Sequence, residues 1–119
     1  MRSTALVLGL ALVAIVSAQT PPTEDEKRLK TLEKNYLAAK AVLAKKPKDK
    51  VAQKKFVTAG TLYGHESMVS PVLPARVKYR QALHVYREVL KYEPKQPVAR
   101  PEYDLIVKIY KQMGRPVPQ

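Results

Sequence analysis

The sequence predicts an all-α fold of four helices, arranged as two antiparallel helix-turn-helix units. Apolar residues recur at intervals of three and four in four separate segments, which is the spacing of one helix face. Prolines lie between these segments, and no segment alternates as a strand does. The chain also partly matches itself when it is shifted by 47 residues, since Val42–Leu43 then falls on Val89–Leu90 and Pro47 on Pro94. A fixed period of this length is typical of stacked helical repeats.

The first predicted helix begins after Thr23 and ends at Lys45–Lys46, before Pro47. Thr23 and Glu26 form a capping-box pattern, in which the threonine hydroxyl accepts a hydrogen bond from the backbone N–H three residues on. The apolar stripe of this helix consists of Leu29, Leu32, Tyr36, Ala39 and Leu43.

The second predicted helix runs from near Asp49 to about Ser67. Gly60 lies inside it, although a glycine costs a helix about 1 kcal/mol relative to alanine. We therefore expect another helix to approach the backbone closely at Gly60. A loop from Met68 to Leu73 follows. The apolar stripe consists of Ala52, Phe56, Ala59 and Tyr63.

The third predicted helix opens at Pro74, which suits the first turn of a helix, and ends before Pro94. The fourth opens at Pro101 and ends near Gly114. Their apolar stripes consist of Ala75, Tyr79, Ala82, Tyr86 and Val89 in the third helix, and of Tyr103, Ile106, Tyr110 and Met113 in the fourth.

The first 18 residues have the layout of a secretory signal peptide. Arg2 supplies a positive charge, residues 5–16 are apolar except for Gly9, and Ser17–Ala18 provides small residues for cleavage. An uncleaved membrane anchor is the alternative, although the apolar stretch is shorter than the roughly 20 residues that a membrane span needs. We expect cleavage before Gln19 and hence a secreted or periplasmic protein.

After cleavage, the chain is expected to contain one small domain. Residues 19–23 form a flexible lead, residues 24–114 the helical-repeat domain, and residues 115–119 a C-terminal tail. No cysteine occurs, which excludes disulfides and cysteine-based metal sites.

The chain is strongly basic, with 22 Lys and Arg residues against 10 Asp and Glu residues and a net charge of +12. Such a charge concentrates anions near the surface. One interpretation is a contact for envelope polymer, anionic lipid or nucleic acid, with binding that weakens in salt; the other is a solvated surface. The lysines concerned cluster around the first turn: Lys45, Lys46, Lys48, Lys50, Lys54 and Lys55.

The sequence contains no complete catalytic motif. His65–Glu66 resembles the start of a zinc-protease helix motif, but Val69 stands where that motif requires its second histidine. The other histidine is His84, and two histidines without a third ligand form a weak metal site. Neither a glycine-rich phosphate loop nor a nucleophile elbow occurs. We therefore predict a protein that is not an enzyme and needs no cofactor or metal.

The second helix carries Phe56, then the pair Ala59–Gly60 and then Tyr63, at spacings that resemble the first helix of a tetratricopeptide repeat. The third helix resembles the second helix of that family, and the fourth helix repeats the first pattern. The resemblance covers most of residues 35–114. It implies that one set of residues packs the repeats together: Phe56, Ala59, Gly60, Tyr63, Ala82, Tyr86, Val89, Pro94, Tyr103, Ile106 and Tyr110.

The linkers are longer than those of the family, and the period of 47 residues exceeds the usual 34. This length also fits HEAT-like helical repeats. The resemblance implies a protein-binding groove formed by the second and fourth helices. We therefore predict a scaffold or adaptor that binds a protein partner, with a polyanion-binding adaptor as the alternative. The residues expected to line the groove are Thr58, Thr61, Lys108 and Lys111.

Overall fold

A computed structural model describes residues 20–119, and this part of the chain forms four α-helices. They are α1 (Glu24–Lys45), α2 (Lys50–Met68), α3 (Ala75–Tyr92) and α4 (Ala99–Gln112). Since residues 20–119 contain no strand, the predicted all-α fold is confirmed. The predicted signal peptide, residues 1–18, lies outside the described residues. Within them, no helix combines the length and the apolar character that crossing a bilayer requires.

The starts of α1 and α2 are fixed by side-chain caps. Thr23 Oγ1 accepts a hydrogen bond from the backbone N–H of Glu26 at 3.2 Å, as its capping pattern predicted. The Asp49 carboxylate does the same for the backbone N–H of Ala52 at 3.0 Å. Both residues therefore satisfy a first-turn donor that has no partner inside its own helix.

The fourth helix starts at Ala99, two residues before the predicted start at Pro101. The side-chain oxygen of Gln96 accepts hydrogen bonds from the backbone N–H groups of Val98 and Ala99, both at 2.7 Å. Pro101 is then the third helical residue, where its missing N–H leaves no hydrogen bond unmade. The helix is followed by Gly114 in the left-handed conformation, with φ of 64°.

The packing centres on α2, which lies between α1 and α3. A Cβ atom on Gly60 would lie 2.5 Å from Val89 Cγ2 on α3 and 3.5 Å from the Tyr36 ring on α1. One turn later, a Cβ atom on Gly64 would lie 2.9 Å from Cδ1 of the Tyr86 ring. The close helix approach expected at Gly60 is therefore present and extends to Gly64. Because α3 runs from Val89 back to Tyr86 as α2 advances from Gly60 to Gly64, the two helices are antiparallel.

Aromatic rings fill the space between α1 and α2. The centroid of the Tyr36 ring lies 5.5 Å from that of Phe56 and 5.4 Å from that of Tyr63. At such distances aromatic pairs contribute beyond their buried area. The remaining fully buried apolar side chains come mainly from α3 and from Ile106 of α4. The core thus runs as one cluster through all four helices.

Most of the residues predicted to pack the helices together do lie in or against this core. Tyr103 and Tyr110 are half-buried against it, whereas Ala59 is half-buried but is not part of the core cluster. The prediction was wrong for Pro94, which is exposed in the turn after α3. A proline there prevents the helix from continuing, because it has no N–H to donate, and this requires no burial.

Candidate functional site

An open groove lies between α1 and α2. It encloses about 580 Å³, and its floor is mostly apolar. Val51 and Leu62 remain 64% and 50% exposed, which is a large exposure for aliphatic side chains. Exposed apolar surface of this kind, bordered by polar residues, is typical of interaction sites. The residues that line this α1–α2 groove are Leu32, Asn35, Lys50, Val51, Lys54, Lys55, Thr58, Ala59 and Leu62.

Three lysines, Lys50, Lys54 and Lys55, border the α1–α2 groove. All three are exposed. Among residues 20–119, none of them forms a salt bridge. The groove therefore combines an apolar floor with a positive border, which favours a ligand that is apolar on one side and acidic at its edge.

Asp49 is the acidic residue closest in sequence to this border. Its hydrogen bond from the backbone N–H of Ala52 is the main reason why the pKa of the carboxyl is lowered. Lys46 and Lys55 add to this effect. Asp49 therefore serves as the N-cap of α2, and the side chains around it leave the surface positive.

The four residues that were predicted to line one groove do not lie together in the structure. Thr58 does line the α1–α2 groove. Lys108 and Lys111 instead line a separate shallow cleft on α4, beside Tyr103 and Val107. The predicted groove across the second and fourth helices is therefore not formed by these residues.

The prediction for Thr61 was wrong for a different reason. Its side chain is only 8% exposed, and its hydroxyl has no hydrogen-bond partner in the described part of the chain. Thr61 stands three residues before Gly64, on the side of α2 that faces α3. Thr61 is therefore buried in the fold and does not line an exposed groove.

The six clustered lysines are all exposed: Lys45, Lys46, Lys48, Lys50, Lys54 and Lys55. The turn between α1 and α2 brings them to one end of this helix pair. Three of them also border the α1–α2 groove, so the two sites predicted separately from the sequence overlap. The sequence interpretation placed Thr58 in a groove of the second and fourth helices and the lysines in a separate polyanion contact, whereas Thr58, Lys50, Lys54 and Lys55 line one groove in the structure.

A polar junction attaches α4 to α2 and α3. Nδ1 of His65 lies 2.6 Å from Oε1 of Glu102, and the Tyr86 hydroxyl donates a hydrogen bond to Oε2 of the same carboxylate. Since a carboxylate only accepts hydrogen bonds, Nδ1 of His65 carries the hydrogen. Glu102 stands in the first turn of α4, where a negative charge also suits the helix dipole.

Burial changes the acidity of the core tyrosines. It raises the pKa of Tyr63 to about 12, with Glu33 adding to the effect. It raises the pKa of Tyr86 further, together with the hydrogen bond to Glu102, and also raises that of Tyr36. These three hydroxyls therefore stay protonated to a higher pH than the hydroxyl of an exposed tyrosine does.

His65 acts as a hydrogen-bond partner in this junction, and His84 is exposed on α3. Within residues 20–119, no group of three or more His, Asp or Glu side chains is placed to hold a metal ion.

Sequence reasoning missed the apolar floor of the groove. Val51 and Leu62 lie outside the stripe that was assigned to the second helix, and Leu32 was counted as core. A usable signal was present, because an aliphatic residue outside the core stripe of an amphipathic helix indicates a second apolar face.

Comparisons with protein-family models, with curated proteins and with solved structures give no match for this chain.

Proposed function

We propose that this chain is a protein-binding module that takes an apolar segment of a partner protein in the α1–α2 groove. The observation that supports this proposal most directly is the groove itself, where Val51 and Leu62 are exposed beside lysines that form no salt bridge within the described residues. An adaptor or scaffold needs such a surface and no catalytic group.

The proposal includes two expectations from the sequence. One is that the helices are tetratricopeptide-like repeats, for which the 47-residue self-match and the small residues at the helix contacts provide support. The other is secretion or transport to the periplasm through residues 1–18. The repeat architecture concerns how the helices form the groove, and secretion concerns the compartment in which the groove meets its partner.

The test is affinity capture on the chain from secreted and envelope extracts, followed by elution with a salt gradient. We expect the wild-type chain to retain one or a few proteins at high salt, because apolar contacts are not screened by ions. The double substitution Val51→Ser with Leu62→Ser should release them.

The matched control is Leu105→Ser. Leu105 is 47% exposed, close to the 50% of Leu62, and it does not line the groove. Retention of the same proteins by both variants at high salt would show that the groove is not the binding site.

A second candidate function is the binding of a polyanion, such as an anionic envelope polymer, anionic lipid or nucleic acid. It is favoured by the six exposed lysines at the first turn, none of which forms a salt bridge among residues 20–119. Replacing Lys45, Lys46, Lys48 and Lys50 with Gln should weaken binding to a heparin column strongly and reduce its salt dependence. An unchanged elution position would exclude this cluster as the polyanion site.

A further inference from the structure

The groove between α1 and α2 can be compared with the surface that α3 and α4 form 47 residues later. That second surface is covered by α2. Gly64 of α2 packs on the Tyr86 ring, and His65 contacts Glu102. Ile106, one turn after Glu102, is completely buried.

The equivalent positions in the first pair of helices are open. Val42 stands 47 residues before Val89, and the two positions hold the same amino acid. Val89 packs against Gly60 and is completely buried, whereas Val42 is 51% exposed. Ala59, the counterpart of Ile106, is half-buried and lines the groove.

The charges at the two equivalent surfaces are opposite. The position 47 residues before Glu102 is Lys55, which borders the α1–α2 groove. On the α3–α4 surface the acidic residue is Glu102, and its partner His65 comes from α2, the helix that covers this surface. On the α1–α2 groove the surface supplies the cation, so a helix in the equivalent place must supply the acid.

We propose that the α1–α2 groove binds an amphipathic α-helix of a partner protein, placed as α2 is placed on α3 and α4, with an acidic side chain opposite Lys55. This inference rests on the proposed function and specifies its ligand. The apolar side of the helix covers Val42, Ala59 and Leu62. Its acidic edge meets Lys54 and Lys55.

The chain's own leader does not fit this charge pattern. The residue 47 positions before His65 is Ala18, and residues 1–19 contain no Asp or Glu. A leader helix in the groove would leave Lys55 without an acidic partner. A partner protein is therefore the better source of the helix.

The test uses synthetic peptides based on α2, because α2 covers the equivalent surface. The acidic probe is residues 50–68 with Lys54→Gln, Lys55→Gln and His65→Glu. The basic probe differs only in carrying His65→Lys. The third probe is the acidic probe with Thr58→Pro, which breaks the helix at a position away from the side that packs on α3.

Binding is measured by titration calorimetry with the full chain and with the chain lacking residues 1–18. The acidic probe should bind about five- to tenfold more tightly than the basic probe at low salt, because one ion pair replaces one repulsion. The proline probe should not bind measurably. Lys55→Glu in the chain should reverse the preference between the acidic and basic probes.

The matched control for Lys55→Glu is Lys95→Glu, an exposed lysine after α3 that does not line the groove. It makes the same charge change and should leave the preference intact. Equal binding of the acidic and basic probes, or loss of the preference in Lys95→Glu, would overturn the proposed acid–Lys55 contact.

Two further outcomes identify a different occupant. Equal binding of the proline and acidic probes would show that the groove takes extended chains, which refutes the helix but leaves the proposed function standing. Probe binding that appears only after removal of residues 1–18 would show that the leader occupies the groove, which refutes the partner helix. The proposed function fails separately, if capture does not depend on Val51 and Leu62.

Discussion

The surface of α3 and α4 is covered by α2, whereas no other helix within residues 20–119 covers the groove of α1 and α2. Ile106 and Ala59 occupy equivalent positions on these two surfaces, 47 residues apart. Ile106 is completely buried one turn after Glu102, which contacts His65 of α2, and Ala59 is half-buried in the groove. Equivalent surfaces of two similar helix pairs therefore differ in burial, according to whether a third helix of the described residues lies on them.

We expect the largest loss of stability when buried side-chain atoms are removed from the surface of α3 and α4 that α2 covers. Ile106→Ala should lower the free energy of unfolding by about 2–5 kcal/mol, because it removes buried methyl groups and leaves a cavity. Urea denaturation measures this loss. The control Leu105→Ala changes a side chain that is 47% exposed and should cost much less. Equal losses for both variants would mean that α2 does not cover Ile106 in solution.

A second prediction concerns the close approach of α2 and α3. Gly64→Ala should lower the free energy of unfolding by about 1–3 kcal/mol, because the added methyl group overlaps the buried Tyr86 ring. This loss runs against helix propensity, since alanine normally stabilises a helix by about 1 kcal/mol relative to glycine. In a Tyr86→Leu background the same Gly64→Ala substitution should cost less than it does in the wild type, because the ring that the methyl group overlaps is gone. A stabilised Gly64→Ala protein would contradict the packing of α2 on α3.

A third prediction uses the raised pKa values of the buried tyrosines. Because the pKa of each is higher in the folded chain than its ordinary value of about 10, folding favours the protonated hydroxyl. The stability that these protonated tyrosines contribute is fully present below about pH 10, and it is lost as the pH rises towards about 12 and beyond.

Urea midpoints measured between about pH 8 and about pH 12 should therefore fall as the pH rises. Tyr86→Phe should lower stability at neutral pH by about 1–3 kcal/mol, because Glu102 loses a donor, and should make the alkaline fall shallower. Tyr79→Phe removes the hydroxyl of a half-buried tyrosine elsewhere on α3 and serves as the control. Parallel pH curves for Tyr86→Phe and the wild type would contradict the Tyr86–Glu102 contact.

We expect the smallest change in stability from a substitution in the α1–α2 groove. Ala59→Ile should change the free energy of unfolding by less than about 1 kcal/mol, because the groove has room for the larger side chain. The same variant should alter the affinity for the acidic probe, because the added atoms lie where the bound helix would pack. A large loss of stability with no effect on the probe would show that Ala59 belongs to the core rather than to the groove.

The helices could be predicted well from the sequence, because their signals are local. Thr23 caps α1 as expected, α2 begins beside Asp49 where its start was predicted, and the stripes of three-four spacing mark the buried faces. The start of α4 was misplaced because the cap comes from the side chain of Gln96, while Pro101 gave a stronger but less accurate signal.

The groove could be predicted only in part, because it depends on how the helices meet. Thr58 was assigned to a groove of α2 and α4, and the lysines to a separate polyanion contact; the structure places Thr58 and three of these lysines around the α1–α2 groove. Thr61 and the lysines of α4 were misassigned, since a pattern on one helix does not show which neighbour covers it. Periodicity placed Ala59 in the core, and only its partly open surroundings distinguish it from Ile106.

Chemical-shift perturbation on the isotope-labelled chain shows directly whether the acidic probe binds in the α1–α2 groove. The expected result is a set of changes confined to the exposed Val42 of α1 and to the groove residues Asn35, Lys55, Ala59 and Leu62. Changes centred instead on Lys108 and Lys111 would place the binding site on α4 and contradict the role assigned to the α1–α2 groove.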